Sequence, residues 1–214
     1  EIDGVTIERA EGYNGQLIAV DGASANLTLS GTTINGNKEE GKYNPGGELI
    51  FVTNGGTLNV EEGTQLANNN STAVYVNNKS FFNMTGGKIS GNTTSNNWGG
   101  AGIYNCGTTV ISGGEISGNT SAMAGGGIWN DRGTVTLKEN VVIENNQALY
   151  GGGVATMSSA RTVLEGAVIR NNTAQSLGGG VYIQGDQNND NLDTTFEMVS
   201  GSITGNEVTN GYGG

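Results

Sequence analysis

The sequence predicts an all-β chain wound into a right-handed parallel β-helix of about seven three-stranded rungs, a solenoid. Three observations carry this expectation. First, an aliphatic residue is followed three positions later by asparagine seven times: Ile34/Asn37, Leu66/Asn69, Ile89/Asn92, Ile116/Asn119, Ile143/Asn146, Ile169/Asn172 and Ile203/Asn206. The Asn-to-Asn steps are 32, 23, 27, 27, 26 and 34 residues, a period typical of stacked repeats. Second, apolar residues inside each period recur at a spacing of two, which belongs to strands and not to helices. Third, the 214 residues include 39 Gly, 29 Asn and a single Pro, Pro45. Gly and Asn are poor helix formers but accept the left-handed backbone of tight corners. The handedness follows the rule for parallel crossovers.

The elements of one rung can be placed in order. The opening strand follows a glycine cluster, as in Gly102-Ile103-Tyr104-Asn105, Gly127-Ile128-Trp129-Asn130, Gly153-Val154-Ala155-Thr156 and Gly180-Val181-Tyr182-Ile183. Weaker versions stand at Leu49–Val52 and Ala73–Val76, and Ile18 with Val20 suits the first turn. The second strand carries two inward columns. One is Leu27, Leu58, Phe82, Thr109, Val135, Thr162 and Phe196; the other is Leu29, Val60, Met84, Ile111, Leu137, Leu164 and Met198. The third strand carries the aliphatic residue of the Ile-x-x-Asn beat. Asn37, Asn69, Asn92, Asn119, Asn146, Asn172 and Asn206 are then expected to form a structural ladder. Each amide has donors and an acceptor for its neighbours above and below, and each Asn suits the left-handed corner. Residues 1–16 read as an N-terminal cap or degenerate rung and 17–214 as the β-helix. The closing Gly211-Tyr212-Gly213-Gly214 repeats Leu149-Tyr150-Gly151-Gly152, so the chain reads as a fragment of a longer protein.

Charge narrows the function classes. The formal net charge is −11, with nine basic residues and no histidine, which argues against nucleic acid and anionic membrane surfaces as partners. No apolar run approaches the ~18 residues of a membrane span, so membrane insertion is not expected. Cys106 has no second cysteine to pair with and no histidine to activate it. The acids on strands, Glu115, Glu144 and Glu165, each stand in a different relation to their rungs. That pattern does not supply the paired carboxylates, roughly 5–10 Å apart, of a glycoside hydrolase.

Two features stand out as contact surfaces. Phe51, Tyr75, Tyr104, Trp129 and Tyr182 occupy the outward position of successive opening strands, interrupted by Ala155. Such a stripe is a candidate platform for sugar rings, or a ladder of aromatics packed on one another. The corner after the opening strand gathers Asp131, Arg132, Arg161, Asp186, Asp190 and Asp193. Asp186, Asp190 and Asp193 are candidate oxygen ligands for Ca²⁺; otherwise this is a solvated loop with surface ion pairs. No other cofactor is expected.

The alternation of Gly-Gly-Gly-Ile-Trp-Asn (125–130) with Gly-Gly-x-Ile-Ser-Gly-Asn (86–92 and 113–119) resembles bacterial surface β-helix repeat proteins. These include polymorphic outer-membrane autotransporter adhesins and large surface proteins of Gram-positive gut bacteria. Ile or Leu stands here where the autotransporter motif has Phe. The resemblance, within the pectate-lyase-like superfold, implies an exported, extracellular, surface-anchored protein. It also implies a non-catalytic adhesin segment, a rigid stalk meeting a host or cell-wall glycan or a host surface protein. It transfers no binding residue. The competing reading is a polysaccharide lyase or hydrolase of the pectate-lyase-like type with a Ca²⁺-binding corner, with Arg132 or Arg161 beside it.

Overall fold

A computed structural model describes residues 1–38, 47–95, 99–185 and 193–211. The chain is a parallel β-solenoid with no helix among the described residues. The first side is a seven-stranded sheet of Ile18–Asp21, Ile50–Thr53, Val74–Val76, Ile103–Asn105, Ile128–Asp131, Val154–Met157 and Val181–Gln184. Seven strands stacked in sequence order give six turns of coil between the first and the last.

The second and third sides belong to one 14-stranded sheet that folds around a corner. In earlier rungs the two sides are separate strands, such as Thr108–Ile111 and Gly114–Ser117. In the last two rungs Arg161–Arg170 and Thr195–Thr204 run through the corner unbroken. The bend in each falls at a left-handed glycine, Gly166 (φ 109°) and Gly201 (φ 110°). Ile2–Asp3 and Thr6–Glu8 pair in parallel with Leu29–Ser30 and Thr33–Asn35, so they form the second and third sides of a preceding turn.

From the third asparagine corner onward each rung also has a fourth side. Thr93–Thr94, Thr120–Ser121, Gln147–Tyr150, Thr173–Leu177 and Glu207–Val208 form a five-stranded parallel sheet between the asparagine corner and the next glycine cluster. The three-stranded rung is therefore incomplete. These strands are too short and too polar to show a period of two.

The core follows the expected columns in register through the rung of Leu164 and Ile169, but Met198 and Ile203 in the last rung are exposed, at 48% and 37%. Leu29, Val60, Met84, Ile111, Leu137 and Leu164 are fully buried over one another, as are Ile34, Leu66, Ile89, Ile116, Ile143 and Ile169. Each buried Leu or Ile contributes about 1.5–3 kcal/mol of transfer free energy. The polar members of the columns are paired internally. Thr109 Oγ1 donates to Asn105 Oδ1 at 2.8 Å, and Asn130 Nδ2 donates to Thr162 Oγ1 at 3.0 Å. Asn105 Nδ2 also donates to Asn130 Oδ1 at 2.8 Å, a second amide contact between rungs.

The main asparagine ladder is continuous from Asn69 to Asn206. Asn119 represents it: its backbone N–H and its Nδ2 both donate to Asn146 Oδ1 at 3.0 Å, and Nδ2 also donates to Ile89 O at 3.0 Å. Asn92, Asn146 and Asn172 repeat the pattern. Two expectations need correction. The ladder residues do not themselves take the left-handed turn. That conformation falls one residue earlier, on Asn68, Gly91, Gly118, Asn145, Asn171 and Gly205, which leaves each ladder amide free to point inward.

Asn37 does not join the stack. It is exposed and left-handed (φ 48°), and its Nδ2 donates to Arg9 O at 2.8 Å. The head of the ladder is taken by Arg9, which is 4% exposed and whose Nη2 donates to Asn69 Oδ1 at 3.1 Å. Further Arg9 guanidinium contacts to the carbonyls of Gly15 and Gly47 hold it there.

Candidate functional site

The opening strands alternate between inward aliphatics and outward aromatics, and a short corner follows each of them. Left-handed residues turn that corner in several rungs: Asn54, Lys79, Arg132, Ser158 and Ser159. The first side and this corner hold most of the residues whose chemistry the fold does not explain.

Phe51, Tyr75, Tyr104 and Trp129 lie in direct register from rung to rung. Their rings meet edge to face. The centroids are 5.1 Å apart for Phe51–Tyr75, 4.9 Å for Tyr75–Tyr104 and 5.0 Å for Tyr104–Trp129, with interplanar angles of 67–80°. Edge-to-face pairs add roughly 0.5–1.5 kcal/mol each beyond area burial. The stripe thus packs on itself, and Tyr104 retains only 7% of its surface. Tyr182 stands apart from the run. Its register neighbour is the fully buried Ala155, and its ring stacks at 5.2 Å on Tyr150 from the fourth side.

At the middle of the stripe a hydroxyl, a thiol and a carboxylate converge. Tyr104 donates its phenolic proton to Asp131 Oδ2 at 2.8 Å, and Arg132 Nη2 donates to the same oxygen at 2.9 Å. The Asp131 carboxylate is nearly buried, whereas the Arg132 side chain is 70% exposed. The Cys106 thiol lies beside both the Tyr104 and the Tyr75 hydroxyls. Burial is the main cause that pushes Tyr75 up to about 12, with nearby Cys106 and Glu48 adding to it. Burial, then Cys106 and Asp131, push Tyr104 further in the same direction. The Cys106 thiol is likewise raised, by burial first and then by Asp131. Thiol and phenols are therefore protonated at neutral pH, and a protonated thiol is a poor nucleophile. Hydrogen bonding to Asp131 holds the Arg132 guanidinium charged.

The acidic corner is only partly within the described residues. Asp186 and Asp190 lie outside them, and Asp193 is exposed. Asp131 is committed to Tyr104 and Arg132, and Arg161 pairs with Glu197 at 2.6 Å. Among the described residues no group of three His, Cys, Asp or Glu is placed to hold a metal ion. On the third side Glu115 pairs with Lys88 at 2.8 Å and Glu144 with Arg170 at 2.7 Å. Hydrogen bonds from Lys88 and then Ser117 hold the Glu115 carboxyl below the usual carboxylate range.

One exposed aromatic escaped the sequence reading. Phe81 lies next to the core residue Phe82, and pleat parity turns it outward, where it is 44% exposed. The available signal was the Phe-Phe pair itself, since only one of two adjacent strand residues can face the core.

A family model described as the right-handed β-helix region matches residues 16–196. Neither a curated protein nor a solved structure matches the chain.

Proposed function

Because the chain belongs to the right-handed β-helix family, we propose that it serves as a non-catalytic, rigid display segment of a bacterial cell-surface adhesin. In this reading it is extracellular, and its side faces meet a host or cell-wall glycan or a host surface protein. The observation that carries the reading is the unbroken ladder from Asn69 to Asn206, beside an aliphatic column fully buried from Leu66 to Ile169. Such a lattice resists bending and holds surface groups at fixed intervals along a rod. The commitments of Asp131 to Tyr104 and Arg132, and of Glu115 and Glu144 to cations, also favour a display role, since these acids are engaged in holding the rungs.

The test has two arms. Retention of the full chain on immobilised mucin and on cell-wall polysaccharide is the expected result. Release of unsaturated or reducing products from polygalacturonate in the presence of Ca²⁺ would replace this reading with a polysaccharide-degrading enzyme.

A further inference from the structure

We propose that the corner around Phe81 is a binding site for a neutral pyranose sugar. Ala23, Asn54, Gly55, Thr57, Asn78, Lys79 and Phe81 line a pocket of about 500 Å³ there. That volume lies within the range of small-molecule sites, roughly 300–1,000 Å³. The proposal rests on the display reading above and gives it a place and a ligand class.

The pocket combines two chemistries. Phe81 offers an open aromatic ring, flanked in register by the small residues Thr57 and Thr108. An apolar C–H face of a pyranose fits such a ring, and the flanking hydroxyl side chains leave it uncovered. The rim is polar, with Asn54, Asn78, Thr57 and a single charged residue, Lys79, around the ring. Side-chain amides carry both donors and an acceptor, the pattern that vicinal hydroxyls require.

The amide Nδ2 of Asn54 donates to Asp21 Oδ1 at 2.7 Å, which fixes the side chain before any ligand arrives. Backbone geometry also fixes the rim, because Asn54, Gly55 and Lys79 are left-handed (φ 52°, 87° and 64°). A pre-set rim lowers the ordering cost of binding.

The same residues argue against other ligands. The Phe81 ring and the Ala23 methyl together make a small apolar patch, less than a docked apolar peptide needs. Lys79 is the sole cation on the pocket wall, Asp21 stands behind Asn54, and the chain carries −11, so an anionic sugar is disfavoured.

The experiment is an NMR titration of the full chain with the methyl glycosides of glucose, galactose, mannose and N-acetylglucosamine, and with methyl glucuronide. At least one neutral glycoside is expected to shift the amide resonances of Gly55, Lys79 and Phe81 saturably. Phe81→Ala should weaken that binding by roughly tenfold or more, the loss of one stacking contact, and Asn78→Ala should weaken it as well. Phe81 is 44% exposed, so Phe81→Ala should stay folded with only a modest fall in thermal midpoint, which is checked first. Absence of shifts at these amides with every neutral glycoside, shifts untouched by Phe81→Ala, or tighter binding of the glucuronide would each overturn the proposal. Polysaccharide retention that survives Phe81→Ala unchanged would overturn this site alone, whereas no retention by the wild type would strike the display reading.

Discussion

Asn119 shows how much a single side chain holds in this molecule. Its side chain is fully buried, and replacing it with alanine deprives Asn146 Oδ1 and Ile89 O of their side-chain donor and leaves the Asn92 backbone N–H without its acceptor, while Asn92 Nδ2 keeps only Leu66 O. Stranded buried polar groups each cost about 1–3 kcal/mol, so Asn119→Ala is expected to lower unfolding stability by roughly 3 kcal/mol in urea titrations. Asn37→Ala, at the exposed residue outside the stack, should cost less, about 1 kcal/mol, because alanine must hold a left-handed backbone and the bond to Arg9 O is lost. The sequence made the ladder legible because an inward amide must recur once per rung. It hid the left-handed residue, since the Ile-x-x-Asn beat fixes which side chain points in but not which backbone turns. The clue lay one position earlier, where every rung from the second onward carries Asn or Gly. The phenols make a pH prediction. Tyr75 titrates at about 12 in the fold against an ordinary value of 10.0, and Tyr104 is shifted in the same direction. Between these values the folded state holds a proton that the unfolded chain has released. Stability contributed by this burial is therefore full below pH 10 and declines as pH rises toward about 12. Tyrosinate absorbance and urea midpoints followed together across that window will check it.

Among the elements, the glycine clusters combine two different requirements. Gly125 both turns the chain (φ 60°) and has no room for a Cβ, whereas Gly127 has no left-handed φ and is needed only for its missing Cβ. A methyl at Gly127 would sit 2.7 Å from Gly153 O and 3.1 Å from Ile143 Cγ2. Gly127→Ala should therefore destabilise by about 1–3 kcal/mol through overpacking. Gly118→Asn should be nearly neutral, because an added Cβ meets nothing within 4 Å and Asn already takes the same left-handed corner at Asn68, Asn145 and Asn171. Denaturant midpoints of the two variants separate packing from turning. The sequence announced corners at both glycines but could not rank them, since composition does not reveal what lies on the rung above. The aromatic stripe was legible in position for a similar reason and illegible in use. Parity says that Tyr75 and Tyr104 leave the sheet on its outer face, but the ring tilt that closes them on each other depends on neighbours in adjacent rungs.

Across the whole molecule, each rung contacts its neighbours through the same columns, so stability should scale with the number of rungs. Residues 120–146 make one full period, and Thr120 pairs with Gln147 in the fourth-side sheet. Excising that period and joining Asn119 to Gln147 should leave a folded β-sheet circular-dichroism spectrum, with a lower urea midpoint and a smaller m-value. Loss of the spectrum would show that rung four to five contacts are not interchangeable. The period could be read from the sequence because every turn must present the same columns to the next. The acidic corner depends instead on irregular loops that no repeat constrains. The ladder also gives the rod an electrical direction. Every amide from Asn92 to Asn206 points its oxygen toward the N-terminal end, accepting from the rung before, so the small dipoles add in one sense. Their negative pole is Asn69 Oδ1, where the buried guanidinium of Arg9 sits as a fixed counterion. The two ends of the solenoid are thus electrostatically unlike, in the manner of the two ends of an α-helix.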